Sequence, residues 1–378
     1  MTLPKHLFSL DIVRGIAAVA VVFWHWQHFF FKQSALPIEF DRAQQPLYSW
    51  FSLLYDHGHL AVPFFFQLSG FVFFWLYLDQ VSRGDCSAYK FGVLRFARLY
   101  PLHFATLLAV LARQALHAWI IGGYFVYPFN DSYHFLLQLL FASHWGLEKG
   151  YSFNAPIWSV SIEIGLYCAF YLFCIAKIHR VAKLTAAILG AYFLMKLGVG
   201  ERWASPALAF YIGGLTYELT RSYLNHRTQF TDALVVFAAM IAWAGVFTSG
   251  RMEYWLLTRG GINPLFLYSL TIASLVIAET RFPDIAKRGA WIGNLTYSSY
   301  LLHFPLQLIF VLCFFMLGYD DFAFRSVPVL LAFLSLLMVL SLITYQWFER
   351  PVQSALRSRL LPKTMGEPSD APNSPVDR

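Results

Sequence analysis

Charge is what this chain has little of. Only 13% of its 378 residues are Asp, Glu, Lys or Arg, where an ordinary soluble domain carries about 25%, so composition excludes a water-soluble globular fold. A net charge of +7 would suggest nucleic acid as the partner of a soluble protein. Here the cations have another use, because Lys and Arg flanking membrane spans set topology. Cysteine is also scarce: Cys86, Cys168, Cys174 and Cys313 form no CxxC pair and no metal-ligand spacing. That leaves core packing as their expected role and points to no metal. No small-residue cleavage site follows the first apolar run before Trp24-His25-Trp26, and Asp11 and Arg14 interrupt its start. The run therefore reads as a retained helix rather than a removable signal peptide. Internal repeats and Gly/Ser linkers are absent.

What remains is 58% hydrophobic, with 38 Phe, 21 Tyr and 12 Trp. Apolar segments lie near 11–31, 59–78, 99–121, 157–175, 184–199, 204–220, 232–249, 263–280, 291–316 and 326–348, each near the length that crosses a bilayer. A further run from Tyr133 to Trp145 is short and holds His134, Gln138 and His144, which suits a re-entrant or interfacial helix. If it does not span, the clusters Arg83/Lys90/Arg95/Arg98, Lys177/Arg180/Lys183, Arg221/Arg227, Arg281/Lys287/Arg288 and Arg350/Arg357/Arg359/Lys363 fall on one side. The positive-inside rule makes that side cytoplasmic. The expectation is an all-α, polytopic integral membrane protein with about ten transmembrane helices and both termini cytoplasmic. One membrane domain would fill 1–350, with a cytoplasmic tail over 351–378. The tail is rich in Pro, Ser and Asp, and disorder is expected from about 362.

Ionisable residues inside such spans are costly and by default mark function. Arg14 and His25 are eleven residues apart, which returns them to one helix face with about 16 Å between them along the axis. Arg14 lies near the cytoplasmic end of its helix. His25 lies about six residues from the outer end, the same depth as Glu163 in Trp158-Ser159-Val160-Ser161-Ile162-Glu163. An imidazole and a carboxylate at one depth suit a general-base pair, provided their helices are neighbours. The bland alternatives are a buried histidine satisfied by a carbonyl and a carboxylate paired with some buried cation. Arg95 and Arg98 stand at i, i+3, a fork suited to phosphate oxygens, or else two anchors for lipid headgroups. Ser69-Gly70 reads first as close helix packing. His303, near mid-bilayer, reads as an inter-helix hydrogen bond or as lining for a tunnel. Trp145, Tyr151 and Trp158 are interfacial anchors with a second use as platforms for sugar rings. Arg113 and Lys196 receive no chemical role.

Residue by residue, these stretches resemble the acyltransferase 3 family of membrane acyltransferases. Leu10-Asp11-Ile12-Val13-Arg14-Gly15 followed by His25 is similar to its opening Arg-x10-His motif, and Gln67-Leu68-Ser69-Gly70-Phe71 to its Ser-Gly-Phe signature. Arg95-Phe96-Ala97-Arg98 resembles its Arg-x-x-Arg element. Trp158 to Glu163 and Leu295-Thr296-Tyr297-Ser298-Ser299-Tyr300-Leu301-Leu302-His303 complete the set in family order. Two departures, Ile12 and Ile164, stand where Gly and a second acidic residue are common. The resemblance implies transfer of an acyl group, usually acetyl from cytoplasmic acetyl-CoA, to a hydroxyl of a carbohydrate acceptor in a bacterial inner membrane. With few residues after the last span, it implies the stand-alone form without a fused hydrolase-like domain. In that scheme Arg14, Arg95 and Arg98 bind the donor phosphates. His25 deprotonates the acceptor or carries the acyl group, and Glu163 stabilises its charged form. Ser69, Trp158, Ser159 and His303 line the substrate path. The competing classes are a proton-coupled transporter or flippase of an anionic or saccharide solute, and a scaffold whose polar residues only join helices.

Overall fold

A computed structural model describes residues 4, 6–32, 34–177, 181–198, 200–248, 263–289 and 291–361. The disorder expected from about 362 lies outside the described residues. The described chain is helical apart from its connections. Among the described residues, eight helical stretches are long and apolar enough to cross a membrane: Phe8–Phe30, Tyr48–Ser82, Ala88–Ile121, Ala155–Ile175, Gln229–Thr248, Asn263–Arg281, Thr296–Met316 and Val327–Leu360. In order the helices are α1 (Phe8–His25), α2 (Tyr48–His57), α3 (Ala61–Ser82), α4 (Ala88–Ile121), α5 (Ser132–Leu139), α6 (Trp158–Ile175), α7 (Val181–Lys196) and α8 (Glu201–Leu224). There follow α9 (Gln229–Thr248), α10 (Asn263–Arg281), α11 (Pro283–Lys287), α12 (Trp291–Asn294), α13 (Thr296–Met316), α14 (Val327–Thr344) and α15 (Arg350–Leu360). The segments expected near 184–199 and 204–220 are helical as α7 and α8, but α7 has only 16 residues and α8 carries Arg202, Glu218 and Arg221. The short run from Tyr133 is helical only to Leu139 and cannot cross.

The interior is built around α3, which packs on α1, α6, α8 and α10. Two glycines set its approach to α8. A Cβ on Gly70 would lie 1.8 Å from the Phe210 carbonyl oxygen, and one on Gly213 would lie 1.9 Å from that of Gln67. Each backbone thus fills the space the other's glycine leaves open, the close approach that small residues allow in membranes. Gly70 thus has the close-packing role expected at Ser69-Gly70. Polar groups follow the rule that the hydrocarbon offers no water partner. Leu7, the residue capping α1, has no side-chain cap. Buried Glu279 on α10 accepts instead from the Phe8 and Ser9 amides (2.8 and 2.9 Å) and from the Ser9 hydroxyl. A carboxylate there also meets the positive end of the helix dipole.

The cysteines divide differently from the core role expected of them: Cys86 and Cys174 are buried, while Cys168 and Cys313 face outward. Lipid-facing surface is itself apolar, so an apolar run does not separate the two faces. Outward-facing Leu172, Phe230, Phe237, Met240 and Phe315 make the same point.

Gly70→Ala and Gly213→Ala should each lower the unfolding temperature of detergent-solubilised protein. The loss expected from overpacking is about 1–3 kcal/mol. The control Gly92→Ala, whose added Cβ meets nothing within 4 Å, should not lower it, since alanine is the better helix former.

Candidate active site

At one end of the bundle the first turns of α1, α4 and α13 meet the end of α3 and the junction of α14 with α15. The 34 residues of α4 extend about 51 Å, more than a bilayer core of about 30 Å, so its first turns, with Arg95 and Arg98, lie toward the membrane boundary. Arg95 is only 8% exposed. It donates to the Tyr77 hydroxyl, and its guanidinium stands 5.2 and 5.0 Å from the ring centres of Phe73 and Tyr77. Its Nε has no hydrogen-bond partner, and among the described residues no carboxylate pairs with it. Arg98, three residues on, lies within electrostatic reach of Arg14, Arg95 and Glu349. Arg14 is half-buried and 3.5 Å from Asp11. The three arginines singled out in the sequence therefore form one cluster.

Glu349 was not singled out. It ends a π-helical turn, Tyr345–Glu349, and accepts from Ser298 Oγ on α13. A π turn rotates the following side chains off the regular helix stripe and recurs at functional sites. Reading 350–363 as a run of cytoplasmic cations concealed the carboxylate beside it.

Inward from the cluster the groups become neutral hydroxyls. Tyr167 and Tyr297 lie within electrostatic reach of both Arg98 and Glu163, and Tyr297 donates to the Leu99 carbonyl. Glu163 accepts a hydrogen bond from Ser69. Ser159, one turn earlier on α6, is 2.8 Å from the Tyr300 hydroxyl, which donates to the Pro156 carbonyl at 2.7 Å. Tyr300 also lies within reach of the Glu163 charge, and its ring centre is 5.9 Å from that of His303.

His303 leads to His25. Their Nε2 and Nδ1 are 3.0 Å apart and the rings are nearly parallel, at 9°. His25 closes α1, where the chain tightens into a 3-10 turn, Trp26–Phe30. That turn brings His28 over His25 with ring centres 4.7 Å apart. Gln307, one turn beyond His303, bonds both the His25 carbonyl (2.8 Å) and His28 Nδ1 (3.1 Å). The His25 and Glu163 side chains thus have separate hydrogen-bond partners. Between their helices stand α3 and α13, which supply Ser69, Tyr300 and His303. His28 and Gln307 escaped notice in the sequence, although His28 is three residues from His25 and Gln307 four from His303, the spacings of one helix face.

At the histidine end a cavity of about 280 Å³ is lined by Val62, Pro63, Phe66, His144, Trp158, Arg202, Ser205 and Pro206. The Trp158 ring lies tilted against those of His144 (5.0 Å) and Phe66 (6.3 Å). Burial holds His144 below the ordinary imidazole range, with Glu148 opposing the effect. Arg202 pairs with Glu148, whose side chain is 5% exposed. Ser69 lies one turn deeper than Phe66 on α3, and Glu163 between one and two turns deeper than Trp158 on α6. A larger cavity, about 640 Å³, lies between α1, α2, α9 and α10 and is almost wholly apolar. It touches none of the arginines, nor Glu163, His25 or His303, so volume alone is a poor guide to the chemistry here.

Comparison with known proteins places the chain in a family. The sequence profile of the family described as "Acyltransferase domain" matches residues 7–346. Among curated proteins, "Protein 2 in picA locus" of Rhizobium radiobacter is 31% identical over 119 residues, 32% of this chain and 51% of that protein. "Acyltransferase MdmB" of Streptomyces mycarofaciens is 32% identical over 170 residues, 43% of this chain and 38% of that protein. The chain thus spans about half or less of the curated relatives it matches. No solved structure matches it. With a profile match across nearly the whole membrane region, the chain belongs to the acyltransferase 3 family.

Proposed function

We propose that the protein transfers an acetyl group from cytoplasmic acetyl-CoA to a hydroxyl of a carbohydrate acceptor. The acceptor is a cell-surface polysaccharide or its lipid-linked precursor, such as O-antigen or exopolysaccharide, and the protein resides in a bacterial inner membrane. The eight long apolar helices together with α7 and α8 make ten crossings with both termini in the cytoplasm. One observation carries the reading: a cluster of three arginines, with Arg95 buried at its centre, and a histidine pair, His25 with His303, stand at opposite ends of one run of polar groups through the bundle.

The arginine end suits the donor. Arg95 is buried with an unpartnered Nε and no carboxylate in contact among the described residues. Together with Arg14 and Arg98 it presents the planar donors that phosphate and pyrophosphate groups select. Glu349 offsets part of that charge when no anion is bound. The spacing of about 16 Å from Arg14 to His25 is comparable with an extended pantetheine arm, so the thioester would reach His25 while the nucleotide stays among the arginines. His25 acts there as general base on the acceptor hydroxyl, or carries the acyl group before passing it on. Glu163, held by Ser69, supplies the negative charge that favours the protonated imidazole. The acceptor enters at the opposite end, through the cavity walled by Trp158, whose ring suits the apolar face of a sugar. Ser159 and His303 line the path inward.

Labelled acetyl-CoA supplied to membranes containing the protein should acetylate surface glycan, and His25→Ala should abolish the transfer. If the acyl group passes through the enzyme, label should be trapped on the protein in the absence of acceptor, and His25→Ala should remove it. Arg95→Gln and Arg98→Gln should each raise the acetyl-CoA concentration for half-maximal rate about tenfold or more, since a lost charge-assisted bond costs about 1.5–3 kcal/mol. Glu349→Gln should lower that concentration, because it removes a negative charge beside an anion site. An unchanged glycan profile with full expression overturns the polysaccharide reading, and solute uptake that does not depend on acetyl-CoA favours a transporter.

A further inference from the structure

The hydrogen bonds around His25 fix which of its nitrogens is free. Gln307 faces the His25 carbonyl at 2.8 Å on one side and His28 Nδ1 at 3.1 Å on the other. A carbonyl only accepts, so the Gln307 amide nitrogen must face it, and Gln307 Oε1 must face His28. His28 Nδ1 therefore carries the proton, and its Nε2 is left as the acceptor, 3.4 Å from the Tyr127 hydroxyl. With both of its sites committed, His28 serves as a neutral neighbour to His25.

The same accounting extends to the pair at 3.0 Å. His303 Nδ1 is buried without a well-aligned bond. The carbonyls of Ser299 and Tyr300, four and three residues back on α13, act on the His303 ring, and since Nε2 faces His25 they are left to Nδ1. Both can only accept, so the proton of neutral His303 belongs on Nδ1 and its Nε2 turns a lone pair to His25. His25 then donates through Nδ1, and its own proton-free nitrogen is Nε2. No hydrogen bond among the described residues occupies that Nε2, and His25, unlike His28 and His303, is partly exposed.

We propose that His303 is the positioning residue for His25: it accepts the Nδ1 proton, fixes the ring, and presents Nε2 as the base. The direct partner of the imidazole is thus a second histidine, while Glu163 acts from a distance through the field around Tyr300. In the transfer, Nε2 takes the acceptor hydroxyl proton as that oxygen bonds to the thioester carbonyl carbon. The carbon–sulfur bond then breaks, and the leaving thiolate receives the proton from Nε2. During the step His25 is a cation, and its Nδ1–H bond to His303 becomes charge-assisted. Stacked aromatic neighbours and the Gln307 bond to the His25 backbone hold the ring against rotation. The step depends on the acyl-transfer reading above. The assignment of the proton does not.

The test uses full-length protein in nanodiscs with nitrogen-15-labelled histidine, the His25 signals being identified by their loss in His25→Gln. Wild type should show a protonated Nδ1 and an unprotonated Nε2 on His25. His303→Leu should lose the bonded Nδ1–H signal, and its kcat with acetyl-CoA should fall about 100-fold or more, the scale on which a misplaced tautomer acts. The KM for acetyl-CoA should stay within about twofold, since binding energy common to ground and transition states is untouched. His303→Gln keeps an acceptor near the position of Nε2 and should restore most of the rate. His303→Asn, which reaches only as far as Nδ1, should not. Survival of the Nδ1–H signal in His303→Leu, or equal turnover of the Gln and Asn variants, overturns the proposal. If His303→Leu does not fold, the Gln and Asn pair decides. A wild type that shows the expected tautomer but never consumes acetyl-CoA instead overturns the acyl-transfer reading.

Discussion

Everything in this bundle answers to one constraint: a polar group in hydrocarbon has no water to bond, so it must find its partner inside the protein. Many of the ionisable side chains that the described spans carry are therefore turned inward, and several of them meet. Glu279 bonds the exposed amides at the start of α1. Arg14, Arg95 and Arg98 gather with Glu349. Glu163 is held by Ser69, and His25 by His303. With Tyr167, Tyr297 and Tyr300 between them, the arginine, Glu163 and histidine groups form a run of polar side chains inside an apolar exterior. The same constraint that makes such a column costly gives it specificity, because each partner is obligatory.

The column exists because the backbones around it are close. Reciprocal contacts of Gly70 and Gly213 draw α3 and α8 together, while the other faces of α3 receive α1, α6 and α10. Regular helix is interrupted at both ends of the column. α1 tightens into a 3-10 turn after His25, which stacks His28 on it. The chain widens into a π turn before Arg350, which directs Glu349 to Ser298. Departures from the α-helical ladder thus coincide with the residues assigned chemistry, as expected where side-chain direction matters more than uniform backbone bonding.

Helical period and residue type made much of this legible in advance. Eleven residues put Arg14 and His25 on one stripe, three put Arg95 and Arg98 together, and hydropathy located the helices. Counting from the span ends also gives an expected depth, the same for Glu163 and His25. Depth is one coordinate, however. Which neighbour stands at the same level depends on how helices are arranged around one another, and no pattern within a single helix records that. Hence Ser69 and His303, each expected to line a path or join helices, are the side chains bonded to Glu163 and His25.

By itself the sequence determined the membrane class, the helices, the stripe of ionisable groups along α1, and the likeness to a family. Those depend on composition and local spacing, and local spacing survives folding unchanged. Tertiary structure alone decided that three arginines from two helices share a cluster, that a carboxylate from the last crossing faces them, and that His25 pairs with a histidine 278 residues away. Such pairings come from long-range packing, where the obligatory partnering of buried polar groups selects one arrangement among many that the same helices allow.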